Sequence, residues 1–169
     1  GIALALSQGD YDAANAHASQ LLARARATGD IAAQAAAEGY LGVFERRRGQ
    51  LESARAHQET ALSLRRALRD RAGEAQVLMN LGTVHRDLGD YARALELQLD
   101  ALELRKTLGP AGRLDLSYRN IALLYREIED TEQAKSNFKA ALDASMARHD
   151  PQSLAAARGS YASFSNDIG

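Results

Sequence analysis

The chain has 169 residues, 46% of them hydrophobic and 25% charged, which suits one soluble domain with a sizeable core. Its formal net charge is −1, so it carries no global field to draw in nucleic acid or anionic lipid, and no apolar run approaches the roughly 18 residues that span a membrane. Cysteine is absent, which removes disulfides and thiolate chemistry and leaves the redox compartment open.

Ala and Leu dominate and aromatics make up 5%, a composition that favours helices over strands. The only prolines are Pro110 and Pro151, so helices can run long. In chain order, apolar residues at helical spacing predict helices over 11–28, 31–47, 51–68, 73–88, 91–108, 113–128, 131–148 and 152–165. Between two of them lies Gly89-Asp90: the glycine supplies the left-handed residue that ends one helix and the aspartate caps the next. The helices therefore alternate as A helix, short turn, B helix, looser turn. Arg far outnumbers Lys, which is confined to Lys106, Lys135 and Lys139; with so much Ala this points to a GC-rich bacterial genome.

Offset by 40 residues, the sequence aligns with itself without a gap. Gly9, Gly49, Gly89 and Glu129 share a column, as do Tyr11, Leu51, Tyr91 and Thr131. Ala14, Ala54, Ala94 and Ala134 are identical, and so are Leu22, Leu62, Leu102 and Leu142. Asp30, Asp70 and Asp150 form a column that Pro110 interrupts. Mid-helix, Gly42 and Gly82 align with Ala122 and Ala162; glycine there costs about 1 kcal/mol relative to alanine, so its presence implies an approach too close for a Cβ. The fold expected is all-α, with antiparallel helix pairs that bury their faces only by stacking into an α-solenoid of about four repeats.

These columns resemble the tetratricopeptide repeat (TPR). Leu81-Gly82, His85, Gly89, Tyr91, Ala94, Gln98 and Ala101 resemble the family's Leu-Gly, Tyr, Gly, Tyr, Ala, Phe and Ala series, and Ile121-Ala122, Tyr125, Ala134, Phe138 and Ala141 match it one repeat later. The early Trp is missing, with Leu78 in its column, and so is the Pro that usually ends helix B. The 40-residue period exceeds the standard 34 and lengthens each helix by nearly a turn; it is similar to the Pins/LGN-type proteins and to the TPR arrays of bacterial signalling proteins. The resemblance implies a right-handed superhelix whose A helices line a concave groove for peptides.

The alignment divides the chain into one domain over 1–169, with repeats at 31–70, 71–110 and 111–150 between partial repeats at 1–30 and 151–169. Residues 1–8 read as the back half of an A helix and Gly169 falls in the A–B turn column, so the chain is expected to be a window on a longer array.

Recognition falls to A-helix positions outside the core face. One column holds Tyr40, Asn80, Asn120 and Ser160, the next Val43, Thr83, Leu123 and Ser163, and a third Arg46, Arg86, Arg126 and Asn166. Asn is a mediocre helix former, but its amide donates and accepts, so Asn80 and Asn120 can pair with the backbone of an extended peptide. The alternative is that they bridge neighbouring helices. Arg46, Arg86 and Arg126, with Arg119 and Arg47 nearby, present planar forks suited to carboxylates; the alternative is a salt-bridged face, since Asp87 and Glu127 sit beside them. The binding residues expected are thus Asn80, Asn120, Arg46, Arg86, Arg126, Arg119, Tyr40 and Thr83.

Other candidates fall away. Arg46-Arg47-Arg48 is too short for a nucleic-acid patch and lacks interleaved aromatics. His17 and His57 share a column without converging ligands, and His85 sits in the core column of Tyr125. No phosphate loop, nucleophile elbow or HExxH stands in the chain. The expected function is a non-catalytic scaffold or sensory module binding an extended, acidic protein segment, without cofactor, metal, nucleic acid or membrane insertion; self-association into a homo-oligomer is the alternative. The expected compartment is the cytoplasm, with the periplasm left open.

Overall fold

The computed structural model describes residue 2, residues 11–148 and residues 151–167. Within residues 11–167 eight long helices follow one another: α1 (Tyr11–Thr28), α2 (Ile31–Arg47), α3 (Leu51–Ala67), α4 (Arg71–Asp87), α5 (Tyr91–Lys106), α6 (Leu114–Glu127), α7 (Thr131–Arg148) and α8 (Pro151–Asp167). The A helices are α2, α4, α6 and α8, and the B helices are α1, α3, α5 and α7. Expectations for residues 3–10, Asp150 and Gly169 lie outside the described residues.

The turns follow from their chemistry. Gly49 and Gly89 adopt φ of +78° and +81°, and Asp90 then accepts a hydrogen bond from the Arg93 amide at 3.1 Å. The B-to-A turns, expected to be looser, are equally tight in the first two repeats: Asp30 caps Ala33 N and Asp70 caps Gly73 N, each at 2.9 Å, so α4 begins at Arg71 rather than residue 73. Arg69 and Glu129 hold the left-handed position without glycine, at a cost of about 1 kcal/mol each. The third B-to-A junction departs from this plan. Pro110 stands where the capping aspartate would be, a 3-10 turn occupies Gly109–Gly112, Arg113 takes a left-handed φ of +51°, and α6 starts only at Leu114.

The alanine column is the spine of the core. Ala14, Ala54, Ala94 and Ala134 have no exposed surface. Within each repeat the A helix packs most extensively on its own B helix, and that B helix then packs on the next A helix. Successive A helices also touch directly, which successive B helices do not do to the same extent. The A helices therefore form the inner face of the stack.

The mid-helix glycines have an identifiable neighbour. A Cβ on Gly82 would lie 2.8 Å from Gln98 Nε2 and 3.2 Å from the Ala94 carbonyl oxygen, and one on Gly42 would lie 2.5 Å from Gln58 Nε2. Both glutamines are buried, each donating to a carbonyl of its A helix (Gln58 to Gly39 at 3.0 Å, Gln98 to Met79 at 2.9 Å) while its own Oε1 has no partner. One repeat on, the pair is Ala122 and Phe138, both buried in one apolar cluster. Glycine with glutamine and alanine with phenylalanine are two solutions to one packing problem. Gly82→Ala alone should destabilise the protein by about 1 kcal/mol, overpacking outweighing the gain in helix propensity. Gly82→Ala with Gln98→Phe should recover that loss, and urea titration of both single variants and the double should return a coupling energy of at least about 0.5 kcal/mol. Simple additivity would contradict this account.

Candidate binding site on the inner face

Where two successive A helices meet above the end of the intervening B helix, they leave a groove. The 40-residue register generates it three times, and one column decides its contents: Arg65, Arg105 and Ser145, near the C-terminal ends of α3, α5 and α7. In the first groove, between α2 and α4, Arg65 lines the space with Arg47 but pairs with Asp70 at 2.5 Å rather than crossing it. A cavity of about 470 Å³ stays open there, walled by Tyr40, Val43 and Phe44 on α2 and by Gln76, Val77 and Asn80 on α4. Tyr40 stacks on Phe44, their centroids 6.4 Å apart, and remains 40% exposed.

In the second groove, between α4 and α6, Arg105 lies across the space. It is 4% exposed and donates to Gln76 Oε1 at 3.0 Å, to Ser117 Oγ at 3.3 Å and to the Arg113 carbonyl at 3.2 Å. These partners occupy the columns that wall the first groove, so the guanidinium takes the place a ligand would have. Burial, and then the charge of Arg113, lower the Arg105 pKa, with Asp115 opposing them.

In the third groove, between α6 and α8, the short Ser145 leaves a cavity of about 210 Å³ lined by Arg113, Asp115, Leu116, Arg119, Gln152 and Ser153 among others. Asp115 is 5% exposed and faces Arg113 through two contacts of 3.3 Å, with Arg148 Nε at 4.0 Å. Burial pushes its carboxyl pKa up, but hydrogen bonding and charge from Arg113, then Arg148 and Ser153, outweigh that and hold it below the usual value.

The expected binding residues separate on this frame. Tyr40 and Asn80 line the first groove together. Asn80 Oδ1 accepts from Gln76 Nε2 at 3.1 Å, within its own helix, so the described contacts do not make it an interhelical bridge. Asn120 is half-buried and has no hydrogen bond among the described residues. Thr83 donates to the Met79 carbonyl of its own helix at 3.0 Å. The arginine column is not uniform. Arg46 reaches across repeats to Asp87 at 2.7 Å, and Arg86 binds the same carboxylate at 2.9 Å. Arg126 and Arg119 have no ion pair among the described residues; Arg86 and Arg126 share a cavity of about 420 Å³, whereas Arg119 belongs to the third groove.

Arg105, Arg113, Asp115 and Ser153 escaped the sequence reading. The signal was there: Asp115 interrupts the column of Ala35 and Ala75, and Pro110 interrupts the capping column. His57 and His85 are accounted for structurally. His57 Nδ1 lies 2.7 Å from Glu38 Oε2, a buried carboxylate that also accepts from Arg26 at 3.0 Å, and His85 is half-buried beside Asp90 at 3.3 Å. Among the described residues no three His, Cys, Asp or Glu side chains gather as a metal site, and no helix is long and apolar enough to cross a membrane.

The tetratricopeptide repeat family model matches residues 33–107 and 84–147. The chain belongs to the tetratricopeptide repeat family. Three solved structures share the array's fold. BtubC from P. vanneervenii matches with a TM-score of 0.81 at 21% identity, over 99% of this chain and 70% of that one. A Podospora anserina putative kinesin light chain with nearly identical TPR-like repeats matches at 0.74 and 16%, over 96% and 81%. A Pyrococcus horikoshii signal transduction ATPase with numerous domains, which carries a tetratricopeptide repeat sensor, matches at 0.78 and 16%, over 95% of this chain and 25% of that protein. No curated protein matches.

The carboxylates of the TPR array give it an acid limit. Asp70, whose pKa is lowered first by its bond from Gly73 N and then by Arg65, and Asp115 both bind protons less readily folded than unfolded. Their stabilisation is complete above the unfolded carboxylate value near 4 and is lost as pH falls through the lowered folded value. Tm should hold from pH 7 to about 5 and decline below about pH 4. Asp115→Asn should lower Tm at pH 7 and flatten that decline; an undiminished acid slope in the variant would contradict the assignment.

Proposed function

We propose that this array is a non-catalytic protein-binding module, one repeat domain that takes an extended segment along its inner face as a scaffold or sensory part of a larger protein. Tetratricopeptide arrays generally mediate protein–protein contact, and the Pyrococcus protein's own name describes its repeats as a sensor. The observation that carries the reading is the first groove, an open, largely apolar cavity flanked by an exposed aromatic ring and an amide, Tyr40 and Asn80, on two successive A helices. Asn80 and Asn120 stand one repeat apart and hold the segment's backbone. Arg119 and Arg126, unpaired among the described residues, meet its acidic groups, while Arg46 and Arg86 already share the Asp87 carboxylate.

Self-association is the second reading, since repeats of this kind bury their apolar faces by stacking and the stacking can continue between chains. Light scattering of the complete native array decides it: a monomer over a wide concentration range removes this reading.

For the peptide groove, Asn80→Ala with Asn120→Ala should weaken a pulled-down partner about tenfold, a loss of roughly 1.4 kcal/mol, with helical circular dichroism unchanged. Unchanged affinity would remove both residues from the site. Asp87→Ala frees Arg46 and Arg86 and should tighten an acidic partner several-fold; weaker binding would show that the ion pairs serve the groove's shape instead.

A further inference from the structure

The three grooves differ in a way that defines a ligand. The first is roomy and largely apolar, with Tyr40, Val43, Phe44 and Val77 in its walls beside Arg47 and Arg65. The second is filled beside Gln76 and Ser117 by Arg105, which is buried and bonded to both. The third is smaller and its wall carries two guanidinium groups against one carboxylate: Arg113 is paired with Asp115, Arg119 has no ion pair among the described residues, and Ser145 and Ser153 line the same space.

Resting on the peptide-groove reading, we propose that the inner face selects a segment carrying one large apolar side chain and one carboxylate about six residues apart. The apolar side chain seats between α2 and α4 and the carboxylate between α6 and α8. The spacing follows from the repeat. Touching helices lie about 10 Å apart, so grooves two repeats apart are separated by about 20 Å, and extended chain covers about 3.3 Å per residue. Between them Arg105 plugs the middle groove beside Gln76 and Ser117, and the space left between α4 and α6 lies at their C-terminal ends, lined by Arg86, Asp87, Arg126 and Glu127. The cavity sizes agree with the assignment. A space of about 150 Å³ accommodates a benzene ring, so 470 Å³ takes an aromatic or large aliphatic side chain and 210 Å³ takes a carboxylate-bearing one. Arg119 supplies the planar fork for the carboxylate, and Ser153 sits beside it on the first turn of α8.

The test is a set of fluorescein-labelled Ser/Ala peptides, each with one Phe and one Glu separated by two to ten positions in both orders, together with counterparts in which Phe is replaced by Ala, read by fluorescence anisotropy. Binding should peak at a separation of about six and be roughly tenfold weaker at two and at ten. At the optimum, Glu→Gln in the peptide and Arg119→Ala in the protein should each weaken binding, without a further loss when combined. Tyr40→Ala should weaken only peptides that contain Phe. Affinity independent of spacing, or Glu-bearing peptides binding equally with and without Phe, overturns the inference. If spacing has no effect while Asn80→Ala with Asn120→Ala still weakens every peptide, the two-point ligand falls and the groove reading stands. If no peptide binds at all, both fall.

Discussion

The contact between the alanine column of each B helix and the facing A helix is the constraint on which the rest depends. Ala54, Ala94 and Ala134 present only a methyl group and are fully enclosed. A larger side chain there would push the helices apart and change the step from one repeat to the next. Because the step is constant, the A helices line up on one face and the same groove recurs at each junction. Gly42 and Gly82 belong to this constraint, since the residue lying over each of them is a long glutamine rather than a methyl.

With the frame fixed, single positions set what each groove contains. Burying a guanidinium is costly unless its donors are met. Arg105 meets them with an amide oxygen, a hydroxyl and a main-chain carbonyl, the last of which is aimed by the left-handed turn at Arg113. The unwound start of α6 is thus tied to the plug beneath it: Pro110 removes the aspartate cap, Arg113 turns over, and its carbonyl becomes a partner for Arg105. The same turn carries the Arg113 side chain towards Asp115 and Ser153, where it forms one wall of the third groove. One interruption of the capping column accounts for both the closed groove and the cationic one.

Much of this was legible in the sequence, for a physical reason. Helix period, cap residues and glycine turns are local, and a gapless repeat makes each local reading count several times. Helices α1, α2 and α7 begin and end where the apolar spacing places them, and the capping role of Asp90 is as expected. What escaped was non-local. That Arg46 and Arg86 converge on one carboxylate depends on the rotation between α2 and α4, which no column reveals. The arginine column looked uniform because the sequence shows side-chain type and not the partner one repeat away. Arg105 stands in the last turn of a B helix, where charge alone says nothing of burial, and packing encloses it.

The distribution of compensated charge bears on how such a face would recognise a partner. Asp87 is shared by Arg46 and Arg86 in the first half of the inner face, and part-exposed pairs of this kind contribute little net stability. Their effect is on the partner: an acidic residue arriving there must displace an existing pair and gains little from doing so. Arg119 and Arg126, both on α6, carry no such compensation among the described residues. An acidic group can therefore pair with Arg119 and Arg126 without displacing another carboxylate, and an apolar group is held in the first groove by burial, worth about 25 cal/mol for each Å² removed from water. Charge then sets the direction and rate of approach, and apolar burial sets the residence time, as electrostatic complementarity does at interfaces generally. Identical repeats would offer a ligand several equivalent registers. The unequal grooves offer one, and the departures from the repeat, rather than the repeat itself, are what give this face its capacity to discriminate.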